Sequence, residues 1–119
     1  IHDGDYWSGG ALKASEADVW ASLSCFDNYC LYKGWIPGRF NEIEHIKFSF
    51  VHVDVDLYDP TLEALKFFYD RLLKGGIILM DDYAFGPCPG VRKAADDFFS
   101  SLPEKIVMLS TGQAFVVKI

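Results

Sequence analysis

An α/β fold with a mostly parallel sheet is predicted by three features of the sequence. Two strongly hydrophobic runs, Phe48 to Val55 and Gly76 to Met80, each lead into a cluster of aspartates. Between them lies one amphipathic segment of the length a β-α-β crossover needs. Near the C-terminus, Lys105 to Leu109 and Ala114 to Ile119 are separated only by Ser110-Thr111-Gly112-Gln113. That connection suits a hairpin, hence an antiparallel edge on the sheet.

Taken in order, residues 1–14 (IHDGDYWSGGALKA) lack periodicity and read as a loop. Ser15, followed by Glu16 and Asp18, predicts a helix start, because acidic groups in the first turn complement the helix dipole. That helix is expected to run to about Phe26. Leu31 to Trp35 reads as a short strand before the Pro37-Gly38 turn, and Glu42 to Ile46 as a short helical piece. Phe48 to Val55 is almost continuously apolar and reads as a buried strand. Asp59 and Pro60 suit the N-cap and first position of the next helix, whose stripe is Leu62, Leu65, Tyr69 and Leu72. Gly75-Gly76 is expected to end it. After the turn from Pro87 to Gly90, Val91, Ala94, Ala95, Phe98 and Phe99 predict a further amphipathic helix, closed by Pro103.

The chain has 119 residues, enough for a single domain over 1–119. Its net charge of −6 argues against a nucleic-acid partner, since binding phosphates needs a basic surface. No apolar run reaches membrane-spanning length. Three cysteines, Cys25, Cys30 and Cys88, are odd in number and lack zinc-ligand spacing. They fit a reducing, cytoplasmic setting, although Cys25 and Cys30 could pair in a secreted chain.

The aspartates carry the functional reading. Asp54 and Asp56 end the first run, Asp81 and Asp82 the second, and ligands in open α/β sheets bind at the carboxyl ends of strands. Carboxylates about 4 Å apart repel by ~4 kcal/mol at an effective dielectric of 20. Converging aspartates therefore need a cation or a retained proton. Oxygen donors alone suit a hard ion, Mg²⁺ more than Zn²⁺. The competing reading is that these aspartates are solvated strand ends or helix caps. His52, inside a run read as buried, is expected to be a satisfied core histidine rather than a ligand.

The segment HVDVDLYDPTLEALKFFYDRLLKGGIILMDDY, followed by GVRKAADDF, resembles the macrocin O-methyltransferase family. The elements D-x-D-x-Y, GG-I-I-x-x-DDY and G-x-x-x-A-x-x-x-F occur in order, and the resemblance is strong from about Lys33 to Phe99. The resemblance implies a partial class I methyltransferase (Rossmann-like) fold and Mg²⁺-assisted methylation of a sugar hydroxyl with S-adenosylmethionine, in antibiotic biosynthesis. It assigns Asp54, Asp81 and Asp82 to Mg²⁺ and Asp56 to the general base. Gly34, Trp35 and Ile36, together with Asp54, are assigned to the cofactor; for Trp35 a packing role is an equal alternative. Packing also explains Tyr58 and Tyr83 as well as their motifs do. His2, Asp3 and Trp7 fall in a substrate-side loop and receive no role.

The family's glycine-rich cofactor loop has no counterpart, because no G-x-G segment follows any strand here. These residues correspond to the C-terminal part of the fold, and a fragment inactive alone is the preferred reading. A remnant domain that binds metal or a partner, with an apolar face suited to a homo-oligomer, is one rival. A Mg²⁺-dependent phosphatase of the haloacid-dehalogenase type is another, but Leu57-Tyr58 stands where that class has Thr or Gly-Thr. The acceptor is expected to be a small-molecule hydroxyl.

Overall fold

The computed structural model describes residues 2–11 and 13–119. Ile1 and Leu12, both in the predicted opening loop, lie outside the described residues. The elements are α1 (Glu16–Leu23), a 3₁₀ turn (Phe40–Ile43), β1 (Phe48–Val53), α2 (Tyr58–Tyr69), β2 (Leu72–Met80), α3 (Pro89–Phe99), β3 (Val107–Met108) and β4 (Ala114–Val117). They form a four-stranded sheet in the order β1-β2-β4-β3. β1 and β2 are parallel, while β4 runs antiparallel to both β2 and β3. The α/β sheet is therefore present as a mixed one: β1–β2 is its parallel pair, and the expected antiparallel C-terminal hairpin lies beside β2.

The core lies on one face of the sheet. Side chains alternate across a strand, so Val51 and Val53 of β1, Ile78 and Met80 of β2, and Ala114 and Val116 of β4 point the same way and are buried. Ala64 and Leu65 of α2 and Ala95 and Phe99 of α3 close over them. The opposite face carries Phe50, His52 and Val117 exposed, and Ile77, Leu79 and Phe115 half-buried. At the far end of α2, Phe40 stacks on Phe67 with centroids 4.3 Å apart and meets the edge of Phe68.

Ser15 caps α1 as expected, accepting from the Asp18 amide in a reciprocal capping box, but the helix stops at Leu23 and buries nothing. Residues 31–35 are irregular rather than a strand, since no neighbouring strand pairs with them among the described residues. The glycine pair does not end α2. Arg71 ends it, donating to the Phe67 and Glu44 carbonyls, and β2 begins directly afterwards. Gly75 and Gly76 fall within β2, where the register slips between the Phe48–Leu72 and Phe50–Ile77 pairs. Gly75 takes φ 79° there, which glycine adopts at little cost.

At its other end α2 begins at Tyr58, one residue before the expected cap. The Tyr58 amide donates to the Asp3 carboxylate at 2.7 Å, so the cap comes from 55 residues away in the sequence. Gly90, in the first turn of α3, makes room for it: a Cβ there would collide with the Asp3 carboxylate and lie 2.7 Å from the Tyr58 nitrogen. Urea denaturation is expected to show that Asp3→Ala costs about 1 kcal/mol through loss of the cap. Gly90→Ala should cost more, about 2–3 kcal/mol, because the clash includes backbone.

Candidate active site

Parallel pairing brings the ends of β1 and β2 to the same edge of the sheet. The ladder runs one step past β2, with the Asp81 amide donating to the Val53 carbonyl at 2.9 Å. Beyond this point the chain turns sharply twice. Asp56 and Asp82 have φ of 59° and 51°, the left-handed region that aspartate tolerates better than most residues. Strained backbone of this kind concentrates at functional sites.

The turns sort the donor groups into two sets. His52, Asp54 and Asp81 bring one donor atom each to within 4.8 Å of one another, and so do Asp56, Asp82 and Cys88. In the first set, Asp54 is exposed as a residue, yet burial of its carboxyl and the charges of Asp81 and Asp82 raise its pKa. In the second, burial of Asp82 and a hydrogen bond with Asp56 push the Asp82 pKa up to about 6, with the Asp81 charge adding to the shift. Cys88 is buried; burial raises its thiol pKa, and its Sγ lies 4.0 Å from Asp56 Oδ1.

The four predicted aspartates therefore gather at one edge, with Asp82 hydrogen-bonded toward Asp56. His52 departs from expectation: its side chain is 41% exposed, because β1 is covered on only one face. Its Nε2 lies 3.4 Å from Asp81 Oδ1. Trp35 is 91% exposed, Ile36 is packed against the core and Gly34 lies against the Arg39 side chain. No hydrogen bond or ring contact among the described residues joins Trp35 to the aspartates.

The surrounding structure explains several motif residues. Tyr58 donates to Asp97 at 3.0 Å, and Tyr83 donates to Asp96 at 2.6 Å. The tyrosines after the two aspartate clusters thus tie both strand ends to α3, which accounts for the aspartate pair in GVRKAADDF. Gln113, which carried no signal in the sequence, donates to Asp81 Oδ1 at 2.6 Å and accepts from Thr111 at 3.0 Å. Trp7 donates its indole N–H to Cys88 Sγ at 3.3 Å. A cavity of about 450 Å³ opens beside the cluster, lined by Asp81, Asp82, Phe85, Ser110, Thr111 and Gln113 among others.

A chain with this sheet and acidic strand ends falls in the class I methyltransferase fold. The solved structure of the O-methyltransferase NovP matches with a TM-score of 0.71 at 19% identity, covering 99% of this chain and 55% of NovP. CalS11, a TDP-rhamnose 3′-O-methyltransferase of calicheamicin biosynthesis, matches with a TM-score of 0.58 at 23% identity, covering 69% of this chain and 36% of CalS11. Over 65 residues the chain is 32% identical to the 8-demethyl-8-(2,3-dimethoxy-α-L-rhamnosyl)-tetracenomycin-C 4′-O-methyltransferase of Streptomyces olivaceus, covering 55% of this chain and 24% of that protein. The family model for macrocin O-methyltransferase (TylF) matches residues 8–109, and the chain belongs to that family. It spans about half the length of NovP, and its aligned part about a quarter of the Streptomyces enzyme.

The high Asp82 pKa has a stability consequence of definite sign. The native state holds this proton up to about pH 6, whereas the unfolded chain releases it near 3.8. The stabilisation is complete below that lower value and is lost as pH rises through 6. Asp82→Asn, which keeps a residue tolerant of the left-handed backbone, is expected to be more stable than the parent at pH 7.5 by about 2 kcal/mol, after allowing for solvent screening. The difference should vanish below about pH 3. Thermal denaturation across that range without divalent ions measures it.

Proposed function

We propose that this chain carries the metal and base end of an S-adenosylmethionine-dependent O-methyltransferase acting on a sugar hydroxyl of a small molecule. The observation that carries the reading is the convergence of Asp54, Asp56, Asp81 and Asp82 at the carboxyl ends of adjacent parallel strands, in a member of this family. Named relatives act on rhamnosyl groups, which makes deoxysugar acceptors the first to try. Family membership does not favour the phosphatase reading.

The donor set fits a divalent cation. Asp54 and Asp81 converge, and the Asp54 pKa is raised by burial of its carboxyl and then by the neighbouring Asp81 and Asp82 charges, which a cation would offset. When bound, such an ion supplies positive charge that stabilises an alkoxide forming beside it. The chain's own groups do the rest. Asp56 accepts the hydroxyl proton. Asp82, hydrogen-bonded to Asp56, shares it, so the pair holds one proton between two carboxylates. The cavity beside Asp81 gives the acceptor a polar wall in Ser110 and Thr111. Holding the hydroxyl in line with the sulfonium methyl supplies much of the acceleration.

Grip on the methionine part of the cofactor is assigned to a G-x-G loop, absent from these 119 residues. Cys25, Cys30 and Cys88 are free, which suits a cytoplasmic setting. Among the described residues, no helix is long and apolar enough to cross a membrane.

Calorimetric titration of S-adenosylmethionine into this chain is expected to show binding weaker than about 1 mM, and micromolar affinity would overturn the half-site reading. Millimolar Mg²⁺ should raise the melting temperature by a few degrees, and Asp81→Ala should abolish that rise; no shift in the parent would overturn the cation assignment. In a polypeptide joining these residues to a glycine-loop half, Asp56→Asn should lower kcat by about 10²- to 10⁴-fold.

A further inference from the structure

Asp81 stands in the middle of a row that crosses three strands. Val53 faces Met80 in the parallel β1–β2 ladder, and Met80 faces Ala114 in the antiparallel β2–β4 ladder. Continuing both registers by one step sets Asp54 beside Asp81 on one side and Gln113 opposite it on the other. Residues opposite each other in an antiparallel pair are close enough for their side chains to bond. The two neighbours act in opposite senses. The Asp54 carboxylate repels Asp81, whereas Gln113 donates its side-chain N–H to Asp81 Oδ1 at 2.6 Å.

Gln113 is itself fixed. Its backbone carbonyl accepts from the Leu109 amide at 2.8 Å, and its side-chain oxygen accepts from Thr111 Oγ1 at 3.0 Å. An ionised carboxylate only accepts hydrogen bonds, so the amide nitrogen faces Asp81 and the amide oxygen faces Thr111. The Gly112 carbonyl accepts from the Ala84 amide at 2.8 Å, tying the hairpin loop to the turn after Asp82. The loop thus grips the strand end through backbone as well as through the Asp81 side chain. Anchoring the loop needs only the backbone bond; the side-chain bond bears on the carboxylate.

We propose that Gln113 is a positioning residue for the cation: it holds the Asp81 carboxylate in its liganding orientation against repulsion from Asp54, with Thr111 orienting the amide. This rests on the reading above that a divalent cation binds at the strand ends with Asp81 among its ligands. Groups that orient a metal's ligands commonly contribute about 10- to 100-fold to affinity. Gln113 is the only glutamine in the sequence, so isotope placed in a glutamine side-chain amide reports on this bond alone.

The test begins with ¹⁵N NMR of the chain labelled in that amide. One of the two amide protons is expected downfield of an exposed glutamine's, and Mg²⁺ should shift it. Asp81→Ala should return it to the exposed position. A parent signal already at that position would overturn the inference without any change at Gln113. Calorimetric titration of Mg²⁺ follows. Gln113→Met, which keeps the side-chain length and removes the donor, should weaken Mg²⁺ by about tenfold or more with the far-UV circular dichroism unchanged. Thr111→Val should weaken it by about threefold alone and no further in the Gln113→Met background, because it acts through Gln113. Affinity in Gln113→Met within about threefold of the parent, or losses that add in the double variant, would reduce Gln113 to a loop anchor. Either result would overturn the inference and leave the cation reading standing. Absence of Mg²⁺ binding by the parent would overturn both.

Discussion

Crowding of carboxylates at the ends of two parallel strands is the constraint on which the rest of this structure depends. β1 and β2 end side by side because they run parallel, and each delivers two aspartates to the same edge. Like charges there would drive the strand ends apart unless something absorbed the repulsion. Several features do so. Burial of Asp82, together with its hydrogen bond to Asp56, holds its proton up to about pH 6. The left-handed turns at Asp56 and Asp82 separate the four groups into two sets. Gln113 and His52 flank Asp81.

The scaffold behind the edge serves the same end. Tyr58 and Tyr83 follow the two aspartate clusters and bind neighbouring aspartates on α3, so one helix holds both strand ends. Arg92 and Lys93 pair with those aspartates along the helix surface. The start of α2, just beyond Asp56, is capped by Asp3 from the opening loop, in a space that Gly90 leaves free. Packing, capping and charge thus converge on the short stretch between Val53 and Tyr58.

The parts legible in the sequence were those written in local pattern. Hydrophobic runs located β1 and β2, helical spacing located α2 and α3, and the short Ser110–Gln113 connection located the edge hairpin. The aspartates were legible because charges at the end of an apolar run are conspicuous. What escaped depends on contacts between distant residues. Asp59 looked like the cap of α2, but Asp3 took that role from outside the helix. Gly75 and Gly76 looked like a helix end, but Arg71 satisfied the last carbonyls and left them to a strand irregularity. His52 looked buried because its strand is apolar throughout, yet only one face of that strand is covered. Gln113 had no pattern to mark it, since its importance lies in one hydrogen bond to Asp81.

Carboxyl ¹³C NMR titration of the chain, with and without saturating Mg²⁺, tests the central claim most directly. With no cation present, Asp82 should titrate near pH 6 and Asp54 above the ordinary aspartate range. Addition of the ion should move Asp54 sharply downward, because a positive charge between crowded carboxylates favours their ionised form. Ordinary titration of both aspartates, unaltered by the ion, would contradict the account.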